Sequence, residues 1–257
     1  MTEILIIIEQ SKSIAIANMK ARYRKTFAGF VWVILNPLIM FTIQNLLFSR
    51  VLNTKIENYS IFLMGGLIPW MFCAQCIDMT ISIFSTNSSH LKLLQVNPLV
   101  IILGQIIDNS INFIIILVIL YIFSVLYLGN SGFDSGLLTL PLSVLVMTFG
   151  VFAISFILAI INVFFRDTRY LVNVIINLMF FLTPIFYSES LVPQEIKWIS
   201  KLNIIYLLII PIRRSIYKFN YISYLKELSV SVILCITLLF IANRSWRNLK
   251  HKIYLKI

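Results

Sequence analysis

The sequence predicts an all-α integral membrane protein with six transmembrane helices in a single domain, residues 1–257. Three observations lead there. Of the 257 residues, 60% are hydrophobic and 12% charged, roughly half the charge of an ordinary soluble domain. Apolar runs long enough to cross a hydrocarbon core of about 30 Å occur six times. The 21 Lys and Arg residues gather at the ends of those runs, so the net charge of +11 reads as a set of orientation signals. A nucleic-acid-binding domain would carry that charge on an interleaved polar surface.

The first 25 residues read as an amphipathic helix. Thr2, Glu9, Ser13, Lys20 and Arg24 share one face, opposed by Ile4, Ile7, Ile8, Ile14, Ala15 and Met19, with Ser11 and Asn18 interrupting the apolar side. Such a helix lies in the headgroup plane, with Lys20, Arg22, Arg24 and Lys25 near anionic lipid. A topology anchor is the plainer reading of the same cations. The start, Met-Thr-Glu followed by a short apolar run, does not have the basic opening of a secretory signal.

The spans fall at residues 30–49, 60–84, 99–128, 137–165, 171–187 and 225–243. Pro37 lies inside span one and removes a backbone hydrogen bond, so that stretch is expected to face other helices, not lipid. Span three, at about 1.5 Å per residue, is ~45 Å long. Its first half holds Asp108, Asn109 and Asn112, and is expected to protrude on the cytoplasmic side or to face protein. No linker or composition shift divides the chain. With both ends inside, thirteen of the 21 Lys and Arg residues are cytoplasmic, including Arg166 and Arg169, which flank Asp167 in the short loop before span five.

Two connecting segments stand out. Residues 85–98 begin with a helix-start signal, Ser85, Thr86 and Asn87, and continue with the amphipathic turn His90-Leu91-Lys92-Leu93-Leu94. Exposed leucines on a cytoplasmic loop suit a docking surface, and equally a capping turn between two long spans. Residues 188–224 contain the nine-residue apolar stretch 204–212, ~13 Å of helix and too short to cross. It reads as a re-entrant or interfacial hairpin on the outer side, either a lid or a surface helix.

Catalytic chemistry is sparse. No G-x-x-x-x-G-K-[ST] motif cradles nucleotide phosphates. His90 and His251 lie far apart, and the acids inside apolar runs, Asp78 and Asp108, are isolated. Cys73 and Cys76 sit one helical turn apart with no further ligand nearby, which suits small packing residues and no metal site. Aromatic residues make up 14% of the chain. Their faces pack on the C–H faces of sugars, although membrane cores and interfacial belts use them too. The candidates for a translocation path are Trp32, Phe41, Tyr121, Tyr127, Phe186 and Tyr187.

Four stretches, RYRKTFAGFVWVILNPL (22–38), GLIPWMF (66–72), NVFFRD (162–167) and FFLTPIFY (180–187), occur in the order and spacing of membrane subunits of polysaccharide ABC exporters. The chain resembles the O-antigen exporters, with teichoic acid and capsule exporters as relatives. The resemblance implies a permease of the inner membrane with both termini cytoplasmic. It also implies pairing with a second copy and with two separate ATPase chains that carry ATP and Mg2+, and a lipid-linked polysaccharide substrate. Residues 1–25 would then be the interface helix, and Thr86, Asn87, His90, Leu91, Lys92, Leu93 and Leu94 the coupling segment seated on the ATPase. Residues 188–224 would be the outer gate helices. Two departures stand out. The coupling loop has one lysine, Lys92, where the family often has two, and Asn203 is followed by Ile204 where the gate often has proline. A membrane-embedded lipid or glycan transferase and a secondary transporter remain the alternatives.

Overall fold

The computed structural model describes residues 2–24, 29–51, 56–87, 97–128, 135–189 and 192–256. It is all-helical over those residues. In chain order the helices are α1 (Thr2–Arg24), α2 (Gly29–Leu46), α3 (Tyr59–Ile81), α4 (Ile83–Thr86), α5 (Pro98–Leu128), α6 (Leu140–Phe164), α7 (Thr168–Leu182), α8 (Lys197–Leu202), α9 (Ile204–Ile216) and α10 (Tyr221–Lys256). A π-helical turn, Leu47–Val51, extends α2, and a 3-10 turn, Ser135–Thr139, leads into α6.

Four helices among the described residues are long and apolar enough to cross a membrane: Tyr59–Ile81, Pro98–Ile122, Ser135–Phe164 and Tyr221–Lys256. The expected first and fifth spans correspond to shorter apolar helices, Ile34–Ser49 and Thr168–Leu182. The fifth span was expected to reach residue 187. The helix stops at Leu182 because Pro184 disfavours helical geometry at Thr183, which is extended at φ −97° and ψ 138°.

α3 is the central helix. Its face from Phe62 to Ile81 is buried almost throughout, and it packs on α5, α6 and α9. α6 and α10 run parallel and form the most extensive helix pair. The two ends of the bundle differ in chemistry. One end holds the termini of α6 and α10 with Arg166, Arg169, Arg244, Arg247, Lys250, Lys252 and Lys256, all exposed. We call it the basic end. The other holds α8, α9 and the starts of α3 and α10, and is the hairpin end.

α1 corrects one expectation. Ser11 and Asn18, which break the apolar pattern, lie on the face that packs against α5. Ser11 and Ala15 are 0% and 2% exposed. A methyl added at Gly104 of α5 would come within 2.7 Å of Ile14 and 3.0 Å of the Ser11 carbonyl. So close a crossing needs small residues. The polar atoms are satisfied locally, Ser11 Oγ donating to the Ile7 carbonyl (2.7 Å) and Asn18 to Gln105 (3.3 Å). Leu5, Ile6, Ile8 and Ile16 are left exposed on the rest of the surface.

The interior polar positions of α5 face protein. Asp108, Asn109 and Asn112 are 0%, 2% and 5% exposed. Cys73 and Cys76 are fully buried packing residues of α3. The stretch expected as a nine-residue apolar segment is the thirteen-residue helix α9. Asn203 starts it without a proline, its side-chain oxygen accepting from the amides of Ile205 (3.0 Å) and Tyr206 (3.3 Å).

Candidate functional site

Helical periodicity places a row of amides and aromatics along one groove. On α2, Trp32, Asn36, Met40 and Gln44 recur every four residues and so share a face. On α5, Asn109, Asn112, Phe113 and Ile116 do the same at spacings of three and four. α3 adds Trp70, Phe72 and Gln75, and α7 adds Asn177, Phe180 and Phe181. Together these four helices enclose a groove of about 650 Å³. Among the described residues six amides line it, and no charged side chain does. Pro37 lies in the same wall.

Two of the amides, Asn109 and Gln44, have weak or missing partners. Asn109 Nδ2 points at Cys76 Sγ (3.6 Å) and Met79 Sδ (3.5 Å), and its buried Oδ1 has no hydrogen-bond partner. Gln44 Oε1 is likewise buried and unpaired. Sulfur is a poor acceptor, so exchanging it for a ligand hydroxyl is favourable. Each amide both donates and accepts, which matches a sugar hydroxyl, and Trp32, Trp70 and Phe180 supply flat apolar faces beside them.

α7 forms one wall and is mostly exposed; only Val172 and Ile176 are buried among its residues. At the basic end it is tied to α3 by Arg169–Asp78 (3.6 Å), both side chains nearly half exposed, and by Asn173 Nδ2 donating to Asp78 (3.3 Å). Further along, Trp70 and Phe180 meet at 5.9 Å.

At the hairpin end the contacts are denser. The chain after α7 is clamped by Arg213 of α9, which is 8% exposed. Its guanidinium donates to the carbonyls of Pro184 (2.7 Å) and Ile185 (3.1 Å) and lies 4.5 Å from the Phe62 ring centre. Gly65 and Gly66 of α3 make the room. A methyl at Gly66 would collide with Arg213 Nη2, and one at Gly65 would stand 3.0 Å from Arg213 Cα. Tyr59 donates to the Phe186 carbonyl (2.9 Å), and Asn203 donates to Thr183 Oγ1 (2.6 Å). Tyr206 donates to Glu189 (2.6 Å), and Arg214 makes a forked pair with Glu227 of α10 (2.6 Å).

The path candidates divide accordingly. Among the described ones, Trp32 alone lines the groove. Phe41 is in the core, 6% exposed, and Tyr121 packs half-buried against it. Phe186 packs on Phe48 (4.7 Å), Phe180 (5.5 Å) and Tyr187 (5.0 Å) at the hairpin end, while Tyr187 donates to the Phe181 carbonyl (3.0 Å). The Tyr127 side chain lies outside the described residues. Gln44, Gln75 and Asn177 were missed, although the i, i+8 spacing of Asn36 and Gln44, two helical turns on one face, was a signal for the first. Of the coupling segment, Thr86 and Asn87 end α4, donating to the carbonyls of Ser82 (3.0 Å) and Ile83 (3.1 Å). His90, Leu91, Lys92, Leu93 and Leu94 lie outside the described residues, as do Lys25 and the side chains of Arg22 and Arg24. Lys20 is exposed on α1. Arg166 and Asp167 are exposed in the turn before α7, and Arg169 is the ion-pair partner of Asp78.

A family model described as ABC-2 type transporter matches residues 9–217, from within α1 to the end of α9. The O-antigen export system permease protein RfbA of Klebsiella pneumoniae is 30% identical over 186 residues, covering 72% of this chain and 71% of that protein. A second Klebsiella pneumoniae protein of the same name is 31% identical over 186 residues, with the same coverage. RfbA of Myxococcus xanthus is 30% identical over 178 residues, 69% of this chain and 68% of its own length.

Proposed function

We propose that this chain, which belongs to the ABC-2 type transporter family, is the permease subunit of an ATP-driven O-antigen exporter. Its substrate is a lipid-linked polysaccharide. ATP and Mg2+ are bound by a separate ATPase subunit, since this sequence contains no phosphate-cradling motif. Two copies of the chain and two ATPase chains form the working unit in the bacterial inner membrane. The basic end is cytoplasmic, in keeping with the positive-inside rule. α2 and α7 complete six crossings, and α8 with α9 form the outer gate.

The groove walled by α2, α3, α5 and α7 carries this reading. A polysaccharide presents repeating hydroxyls and C–H faces. Six amides and several aromatic rings without a fixed charge bind such a polymer through many weak, interchangeable contacts. No single contact is strong enough to arrest a moving chain. Asn36, Gln44, Asn109 and Asn177 hold hydroxyls, and Trp32, Trp70 and Phe180 give the rings a surface to slide on. The ATPase acts at residues 85–98, and the hairpin end closes the path when no glycan occupies it.

Purification from native membranes tests the reading. A separate ATPase is expected to accompany the chain, with hydrolysis that depends on it and export that falls with Leu91→Asp or Leu93→Asp. If no ATPase associates and both variants export normally, the assignment is wrong.

A further inference from the structure

Residues 85–98 are entered through α4, and α4 does not simply hang from α3. Its Phe84 is 1% exposed and stacks on Trp246 of α10, with ring centres 6.2 Å apart and planes 4° from parallel. Phe156 of α6, 2% exposed, completes the triangle at 5.7 Å from Trp246 and 6.2 Å from Phe84. Tyr254 closes the outer side of Trp246 at 6.2 Å. These spacings are those of attractive aromatic pairs, and three helices meet at one rigid junction.

The same two helices, α6 and α10, reach the hairpin end, where hydroxyls replace rings. Ser143 of α6 bonds to Tyr224 of α10 (3.1 Å) and to Ser215 of α9 (3.3 Å), and Thr139 bonds to Ser215 (2.9 Å). Tyr224 also donates to the Thr139 carbonyl (3.2 Å). Tyr224 and Ser215 are 2% and 0% exposed. A methyl at Gly150, midway along α6, would stand 2.6 Å from Leu208 of α9. The α6–α10 pair is thus fastened at one end to the start of the coupling segment and at the other to the gate helix.

We propose that α6 and α10 move as one rod that carries displacement of α4 to α9, with Phe84, Phe156 and Trp246 as its inner joint and Thr139, Ser143, Ser215 and Tyr224 as its outer joint. The proposal rests on the coupling role given to residues 85–98 above. Both joints consist of positioning residues that touch neither the groove nor nucleotide. Neither joint includes a residue that lines the groove, so the gate can be driven while the groove side chains hold glycan. Packed side chains with close, directional contacts are the means by which such displacement crosses a membrane.

The test uses the chain in complex with its ATPase in lipid nanodiscs, with Trp198→Cys as a thiol-reactive reporter on the hairpin, where Trp198 is 60% exposed. In the otherwise unmodified chain, ATP is expected to change the labelling rate. Trp246→Ala and Tyr224→Phe should each keep ATPase association and hydrolysis. Each should reduce the ATP-dependent change in labelling about fivefold or more, the scale of a lost coupling. Trp246→Phe should restore it, because a ring still reaches Phe84. Should Trp246→Ala fail to assemble, Tyr224→Phe, which removes one hydroxyl, decides alone. Normal ATP-dependent labelling in Tyr224→Phe, or in an assembled Trp246→Ala, overturns the rod, as does a reporter that never responds to ATP. Failure of any ATPase to bind the unmodified chain counts instead against the exporter reading.

Discussion

Two places hold the chain around α7, and both use a cation, but they differ in burial. At the hairpin end Arg213 is 8% exposed, donates to two backbone carbonyls and fits a gap left by two glycines. At the basic end Arg169 meets Asp78 at 3.6 Å with both side chains nearly half exposed. Water competes for the second contact and not for the first. The difference marks one end of the groove wall as a fixed frame and the other as a replaceable fastening.

The comparison breaks first at Arg213. Arg213→Met strands two buried carbonyls and should destabilise the chain by about 3 kcal/mol, read as loss of folded protein and a lowered unfolding temperature in detergent. Arg213→Lys keeps the charge but lacks the fork, and should recover only part of that loss. If Arg213→Met proves as stable as the parent, the hairpin end is no frame. Gly66→Ala approaches the same joint from α3 and should cost about 1–3 kcal/mol through overpacking.

Groove substitutions should act on export and spare folding. Asn177→Leu or Asn109→Leu removes a hydroxyl partner worth ~1 kcal/mol, about a fivefold drop in export at equal protein level. Asp78→Asn should shift stability by less than ~1 kcal/mol, since the pair is well solvated. Its effect should appear in export and in the salt dependence of export. An unfolding shift as large as that of Arg213→Met would erase the distinction between the two ends.

The smallest effect is expected from Glu57 and Lys218, paired at 2.8 Å across two turns at the hairpin end. Lys218 holds the exposed Glu57 carboxyl below the ordinary glutamate range. Whatever stability the pair adds is therefore present above that range and lost as pH falls through the lowered value. At neutral pH, Glu57→Gln should leave the unfolding temperature and export unchanged, in a pH titration and in a thermal scan. Asn58, next to Glu57, and Lys218 itself have φ of 48°, a left-handed geometry that favours glycine, so Lys218→Gly should be tolerated.

Much of the architecture was legible because long apolar runs and clustered cations follow from the bilayer itself. α3, α5, α6 and α10 are readable in that way. The groove was not, because each helix contributes one or two amides that look isolated until four helices meet. Asn109 and Asn112 could be assigned to a protein interior, but their partners on α2 and α7 lie far away in sequence. Arg213 counted as one more outer cation, and only the adjacent Gly65 and Gly66 hinted at something pressed against α3. Ser11 and Asn18 misled in the opposite direction. They broke an apolar pattern because that face of α1 meets a neighbouring backbone closely.

The uncharged groove has an electrical consequence. Moving one elementary charge through a membrane potential costs about 2.3 kcal/mol per 100 mV. The twenty described residues that line the groove bring no such charge into the field, so rearranging them displaces none. Voltage therefore exerts no direct force on these side chains.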